Sequence, residues 1–353
     1  GGPPPPPPPA PASSTLRGHL FFAAVQLMLW AFVIAVSCVA GARASKGVRL
    51  YYIGATEVDW DYAPSGMNGL TSRSFLDPAE ADAARYMVQT DKYLGRKLKK
   101  VRFVEYTDRS FATAKAVDPQ WAHKGILGPV IRAEVGDAIR VVFRNMDTER
   151  QYSISARGVL YDKADEGVRY SDGSRRRRLL WSRDSGSMAL SGGGGVNKLD
   201  DAIEPQTTFV YNWNVPERSG PGPADPSSVV WTYQSMADGE FDLFTGLIGP
   251  IIITRKGMGG PDRKPVDVDR EVIAFFVNFN EDESHKRDAN IAALTPACGT
   301  PGHEECHYAD DDVFDSQQKR AINGFMYDNV PDLTMLVGER VRWYLLAMGN
   351  EAD

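Results

Sequence analysis

The sequence predicts an all-β protein of the sandwich type, one complete sandwich followed by about half of a second, and three observations carry that expectation. From Gly47 onward, short β-branched and aromatic runs recur between turn residues with the period of strands rather than helices. Only 78–94 offers a helical stretch, and many short strands with few helices pack best as two facing sheets. Third, the chain repeats itself. Val135-Gly136-Asp137-Ala138-Ile139-Arg140-Val141 recurs as Val337-Gly338-Glu339-Arg340-Val341-Arg342-Trp343, a Gly-acidic turn leading into an apolar strand, and the opening strand at Val48 has its counterpart at Arg270.

In chain order, Gly1-Gly2 and the prolines Pro3 to Pro9 favour extended polyproline without a packed core, so 1–18 is expected to be disordered; the missing initiator methionine reads as a fragment. An apolar stretch over 19–44 follows Arg17 and ends Ala42-Arg43-Ala44, the pattern of a secretory signal peptide or an uncleaved membrane anchor. Either reading exports the rest of the chain. Strands are expected at 48–53, 101–106, 138–143 and 207–213 in a first domain over 47–256. The first domain also holds the strand expected at 247–254, and a second domain over 267–353 holds those expected at 272–279 and 340–346. Glycines, prolines and charges over 257–266 read as the linker. Ser174 to Val196, with Arg175 to Arg178 and Gly192 to Gly195, reads as an inserted loop. Its arginines suit a solvated surface, a processing site or an anionic partner.

Composition narrows the function. With 353 residues, 42% hydrophobic, the chain can bury a sizeable core, and a net charge of -6 gives no overall basic field for nucleic acid. Gly-x-Ser-x-Gly, P-loop, His-Glu-x-x-His and dinucleotide fingerprints are absent, and five histidines leave few general bases. Cys298 and Cys306, flanking His303 and followed by His307, are too few for a disulfide scaffold. They leave a loop disulfide, free thiols or a metal site open. The acidic stretches at 281–283 and 310–312 read as loop surfaces, and His123, between Trp121 and Gly125, as a packed or surface residue.

Several ordered motifs carry a resemblance: Tyr51-Tyr52-Ile53-Gly54 with Trp60-Asp61-Tyr62, Gly125-Ile126-Leu127-Gly128-Pro129, Ala133-Glu134-Val135-Gly136-Asp137, Gly246-Leu247-Ile248-Gly249-Pro250 and Ile322-Asn323-Gly324. Over 47–353 the chain resembles the multicopper ferroxidases, the family of ceruloplasmin and hephaestin, and the related A domains of coagulation factors V and VIII. The resemblance implies cupredoxin-like Greek-key β-sandwiches, copper as the cofactor of the intact family, and Fe(II) oxidation coupled to O2 reduction. It also implies a secreted protein or one on the extracellular face of a membrane. Later cupredoxin domains of the same chain would be its partners, with Fe(II) or other proteins beyond them and a membrane reached only through 19–44 or a C-terminal anchor. A non-catalytic A-domain scaffold is the alternative, which leaves open whether the protein is an enzyme.

In that family, His-x-His pairs hold a trinuclear copper cluster, because Cu(II) favours imidazole and alternate strand residues share a face. The resemblance places the first domain's pairs at Ser155 and Arg157 and at Gln234 and Met236. None is histidine, and a guanidinium repels copper. These positions are therefore expected to be degenerate, with no copper bound to 47–353. The family's first-domain disulfide would fall at Ser228 and Thr254, where neither partner is cysteine, while Cys298 resembles a family cysteine whose partner position is Leu336. Relatives also bind calcium through a lysine carbonyl and adjacent aspartates. The matching candidates are Lys163, Asp200 and Asp201, oxygen donors of the type calcium prefers, with a solvated turn as the alternative.

Overall fold

The protein is seen in a computed structural model that describes residues 1–5, 47–170, 179–181, 188–190, 199–295 and 311–348. Its strands in chain order are β1 (Val48–Asp61), β2 (Met67–Asn68), β3 (Arg73–Ser74), β4 (Lys97–Glu105), β5 (Ile131–Glu134), β6 (Ala138–Asn145) and β7 (Ser155–Ala156). They continue as β8 (Leu179–Trp181), β9 (Met188–Leu190), β10 (Thr208–Asn214), β11 (Ser228–Gln234), β12 (Ile248–Thr254), β13 (Arg270–Asn280), β14 (Gln318–Ile322) and β15 (Val341–Met348). Two sheets of four, ordered β10-β6-β1-β4 and β5-β12-β11-β7, make the first sandwich. The pairs β1 with β6 and β5 with β12 are parallel within otherwise antiparallel sheets. Parallel neighbours cannot be joined by a tight hairpin, so the chain crosses between layers, as a Greek-key cupredoxin-like sandwich requires.

Alternation fixes what lies between the layers. Ile53 and Ala55 of β1, Phe103 of β4, Val141 and Phe143 of β6, Tyr211 of β10, Tyr233 of β11 and Ile251 and Ile253 of β12 all face one core. Phe103 from one sheet meets Tyr233 from the other with ring centroids 5.3 Å apart, an aromatic contact across the sandwich.

All seven residues of β12 are buried, because the strand is a wall between two cores. Ile251 and Ile253 fill the first, while Ile248 and Ile252 face a second core with Ile273, Phe275, Val277 and Phe279 of β13. A strand covered on both faces reads as a continuous apolar run, as this one does.

Beyond β12 lies a three-stranded sheet, β14-β13-β15, and β1 to β15 belong to one compact unit, Val48–Asp353. The internal repeat has a structural basis: β13 pairs with β15 in parallel, Arg270 opposite Val341, as β1 pairs with β6, Arg49 opposite Ile139. Each strand after the repeated turn is preceded by a glycine with positive φ, +100° at Gly136 and +90° at Gly338, a conformation side chains disfavour. In the segment 257–266, Arg263 is paired to Asp137 at 2.8 Å.

Some expectations need correction. The helix expected over 78–94 spans only Ala81–Met87, after a 3-10 turn capped by the Asp77 side chain, because Val88 is already extended with φ -102° and ψ 126°. Helices at Gly239–Thr245, Arg287–Leu294 and Asp311–Gln317 and strands β5, β11 and β14 lie where the sequence pattern predicts no element. Glu281 is not a loop surface. Its side chain is 1% exposed and accepts from Lys100 Nζ at 2.5 Å and from the Tyr62 hydroxyl, with Lys100 fully buried.

That pair belongs to a polar seam joining the first sandwich to the β13 sheet and its helices. Arg132 grips Glu271 with two bonds of 3.2 and 2.6 Å, and Lys286 reaches both Asp147 and Glu57 at 2.9 Å. The segment 19–44, the Arg175 to Arg178 run and Cys298, His303, Cys306 and His307 lie outside the described residues. Of the inserted loop, only the hairpin strands β8 and β9 are described. No described helix is long and apolar enough to cross a membrane.

Candidate copper-ligand positions

β7 is only two residues long, and it is held by β11. Ser155 lies directly opposite Gln234 and Ala156 opposite Tyr233, and the Arg157 amide donates to the Thr232 carbonyl at 2.8 Å. Because Ile154, Ala156 and Tyr233 fill the first core, strand alternation puts Ser155 and Gln234 on the opposite face, with Arg157 just after β7 and Met236 two residues past β11. Ser155, Gln234 and Met236 therefore come together, while Arg157 is tied to β11 through its backbone. Ser155 and Gln234 are buried and Arg157 is exposed. Gln234 Nε2 lies 2.8 Å from the Met236 sulfur, and Gln234 Oε1 is buried without a hydrogen-bond partner.

A second layer of hydrogen bonds locks these segments. Ser153 Oγ accepts from the Met236 amide at 3.0 Å and donates to the Gly167 carbonyl at 2.6 Å, while Ser235 Oγ accepts from the Ser153 amide at 2.9 Å. Ser235 Oγ donates to Asp242 Oδ2 at 2.7 Å, and His285 Nε2 lies 3.1 Å from Asp242 Oδ1. Sequence reasoning missed this Ser235, Asp242 and His285 chain. His285 is 43 residues from Asp242, and no local pattern links them. Although it contains serine, aspartate and histidine, the carboxylate stands between the other two, so no imidazole is bonded to the hydroxyl as a nucleophile needs.

His123 is buried deep in the seam. Its Nε2 accepts from the Ile273 amide at 3.1 Å, so the ring is neutral with its proton on Nδ1, and its lone pair is not free for a metal. Burial holds its pKa below the usual 6.5. The unfolded chain thus binds a proton that the folded chain refuses, and stability is lost as pH falls through 6.5 toward the folded value. Replacing His123 with Gln should flatten that acid limb in denaturant titrations at successive pH values; an unchanged limb would contradict the assignment.

The calcium candidates also gather. Asp200 Oδ2 accepts from the amides of Glu166 and Gly167 at 3.1 and 3.0 Å, its Oδ1 is buried without a hydrogen-bond partner, and burial pushes its carboxyl up. Asp201 is buried beside it. The Lys163 ammonium pairs with Glu166, a carboxylate that the sequence did not single out, and lies 4.0 Å from the Tyr170 ring centroid. Among the described residues, no group of three or more His, Cys, Asp or Glu side chains is arranged to hold a metal ion.

No protein-family model matches the chain. Individual relatives do: ceruloplasmin of Rattus norvegicus is 40% identical over 308 residues, hephaestin of Homo sapiens 36% over 310, and ferroxidase HEPHL1 of Homo sapiens 34% over 305. The matches cover 86 to 87% of this chain. The chain belongs to the multicopper oxidase family of ceruloplasmin and hephaestin. It spans 26%, 23% and 24% of those three relatives, about a quarter of their length. Similar solved structures include a copper nitrite reductase and a blue copper oxidase, both from Nitrosomonas europaea. Their TM-scores are 0.43 and 0.42 at 16% and 15% identity, covering 86% of this chain and 69% and 62% of theirs.

Copper is the metal of the multicopper oxidases, and the four residues here do not fit it. A hydroxyl, a guanidinium and a carboxamide offer no imidazole nitrogen, and the one soft donor, the Met236 thioether, already contacts Gln234. Ser228 and Thr254, where this family's disulfide would fall, are directly opposite each other in the β11 and β12 ladder.

Proposed function

We propose that the chain is the leading part of an extracytoplasmic ferroxidase-type multicopper oxidase, with a cupredoxin-like domain over 47–256, a linker over 257–266 and part of a second such domain over 267–353. In the whole protein, later domains would oxidise Fe(II) and deliver its electrons to O2, while the first domain serves as a frame with degenerate copper positions. One observation carries the reading: Ser155 faces Gln234 across the ladder where paired imidazoles would have to meet. Copper analysis of the full-length protein with an Fe(II) turnover assay tests it. Blue absorbance with turnover supports the enzyme. Copper-free, inactive protein after reconstitution overturns it in favour of a non-catalytic scaffold for protein partners.

Calcium at Lys163, Asp200 and Asp201 would give that scaffold a ligand. It rests on the unpartnered Asp200 Oδ1 alone. A ligand that binds only the folded state raises the melting temperature, so a calcium titration that leaves it unchanged removes this reading.

A further inference from the structure

A cavity of about 490 Å³ opens beside β4 and the 3-10 turn Pro119–Lys124, within the size range of small-molecule sites. Trp121 and Val130 are among the apolar residues that line it, and the same wall holds the cations Arg102 and Lys124 as well as the carboxylates Glu105, Asp118 and Asp262. Arg102 Nη2 and Lys124 Nζ both donate to a single acceptor, the Leu127 carbonyl, at 3.0 and 2.8 Å. Lys124 is 6% exposed, and neither cation has a carboxylate within ion-pair distance among the described residues. Of the neighbouring charges, Lys115 pairs with Glu105 and Arg132 with Glu271.

Two cations sharing one neutral oxygen leave desolvated charge uncompensated, an arrangement that is costly unless a counter-ion completes it. Their mutual repulsion shows in Lys124, whose pKa burial and then Arg102 lower to about 7. None of the wall's carboxylates reaches Lys124 or Arg102, whose missing acceptors are those a ligand carboxylate supplies, and charge-assisted bonds of that kind are the strong ones. Inorganic anions would satisfy the charge but leave the aromatic wall uncovered. We propose that this cavity binds a small organic carboxylate with a flat apolar body, its oxygens on Lys124 and Arg102 and its body against Trp121 and Val130.

Calorimetric titration of the 353-residue chain with benzoate, benzyl alcohol, acetate and inorganic phosphate tests the proposal. Benzoate should bind at least about tenfold more tightly than each of the others, since only it combines the ring with the charge. Lys124→Met should weaken benzoate by about tenfold or more without lowering the melting temperature, because it removes an unpaired buried cation. Arg102→Gln provides the same reading if that variant does not fold. Equal binding of benzoate and benzyl alcohol, phosphate binding as tightly as benzoate, or unchanged benzoate affinity in the variants would overturn the proposal.

Discussion

Replacing Glu281 with Ala should destabilise the protein by about 3–5 kcal/mol, the cost of leaving a buried charge without its partner. Lys100 is wholly buried, its Nζ bonded to Glu281 at 2.5 Å, to the Phe244 carbonyl at 2.5 Å and to the Tyr62 hydroxyl at 3.3 Å. Without the carboxylate, one carbonyl and one hydroxyl must carry a full charge in a cavity closed to water. The double variant Lys100→Met with Glu281→Leu should recover most of the loss, since well-packed apolar pairs often match buried ion pairs. Denaturant midpoints of the single and double variants decide the point. Equal loss in both would mean that packing, not charge pairing, matters at this seam.

Asn323→Ala should cost about 3 kcal/mol or more. The side chain accepts from the Phe275 amide at 2.8 Å and donates to the carbonyls of His123 and Ile273 at 2.7 and 2.8 Å, binding the first sandwich to β13. Each buried group left unsatisfied costs about 1–3 kcal/mol. Asn323 also adopts φ +55°, where asparagine and glycine are tolerated and alanine adds about 1–2 kcal/mol of strain. Asn323→Gly should therefore be milder than Asn323→Ala while still clearly destabilising. If the two were equally stable to denaturant, the backbone would not contribute.

Both seams join residues that are far apart in sequence, and this marks what the sequence discloses. β1, β6, β10, β12 and β13 follow from β-branched and aromatic runs, because a strand's period is written in adjacent residues. β11 is hidden beside a proline-rich stretch at 216–226, although it supplies Gln234. The helix expected over 78–94 is too long, since nothing before Val88 signals a turn to extended backbone. Lys100 and Glu281 are 181 positions apart, so an acidic run with the composition of a surface is partly buried by tertiary packing. The candidate copper positions are placed only through resemblance. Ser155, Arg157, Gln234 and Met236 have no common motif, and the β7 and β11 ladder sets Ser155 opposite Gln234.

The most direct measurement is the copper content of the 353-residue chain after reconstitution with Cu(I) and Cu(II) and exhaustive desalting, read alongside its visible absorbance. With no imidazole among the four candidate positions, the chain should retain well under about one copper and show no blue band. Stoichiometric copper that is lost when Gln234 and Met236 are replaced by Ala would contradict the account, because those side chains would then be ligands rather than parts of a frame.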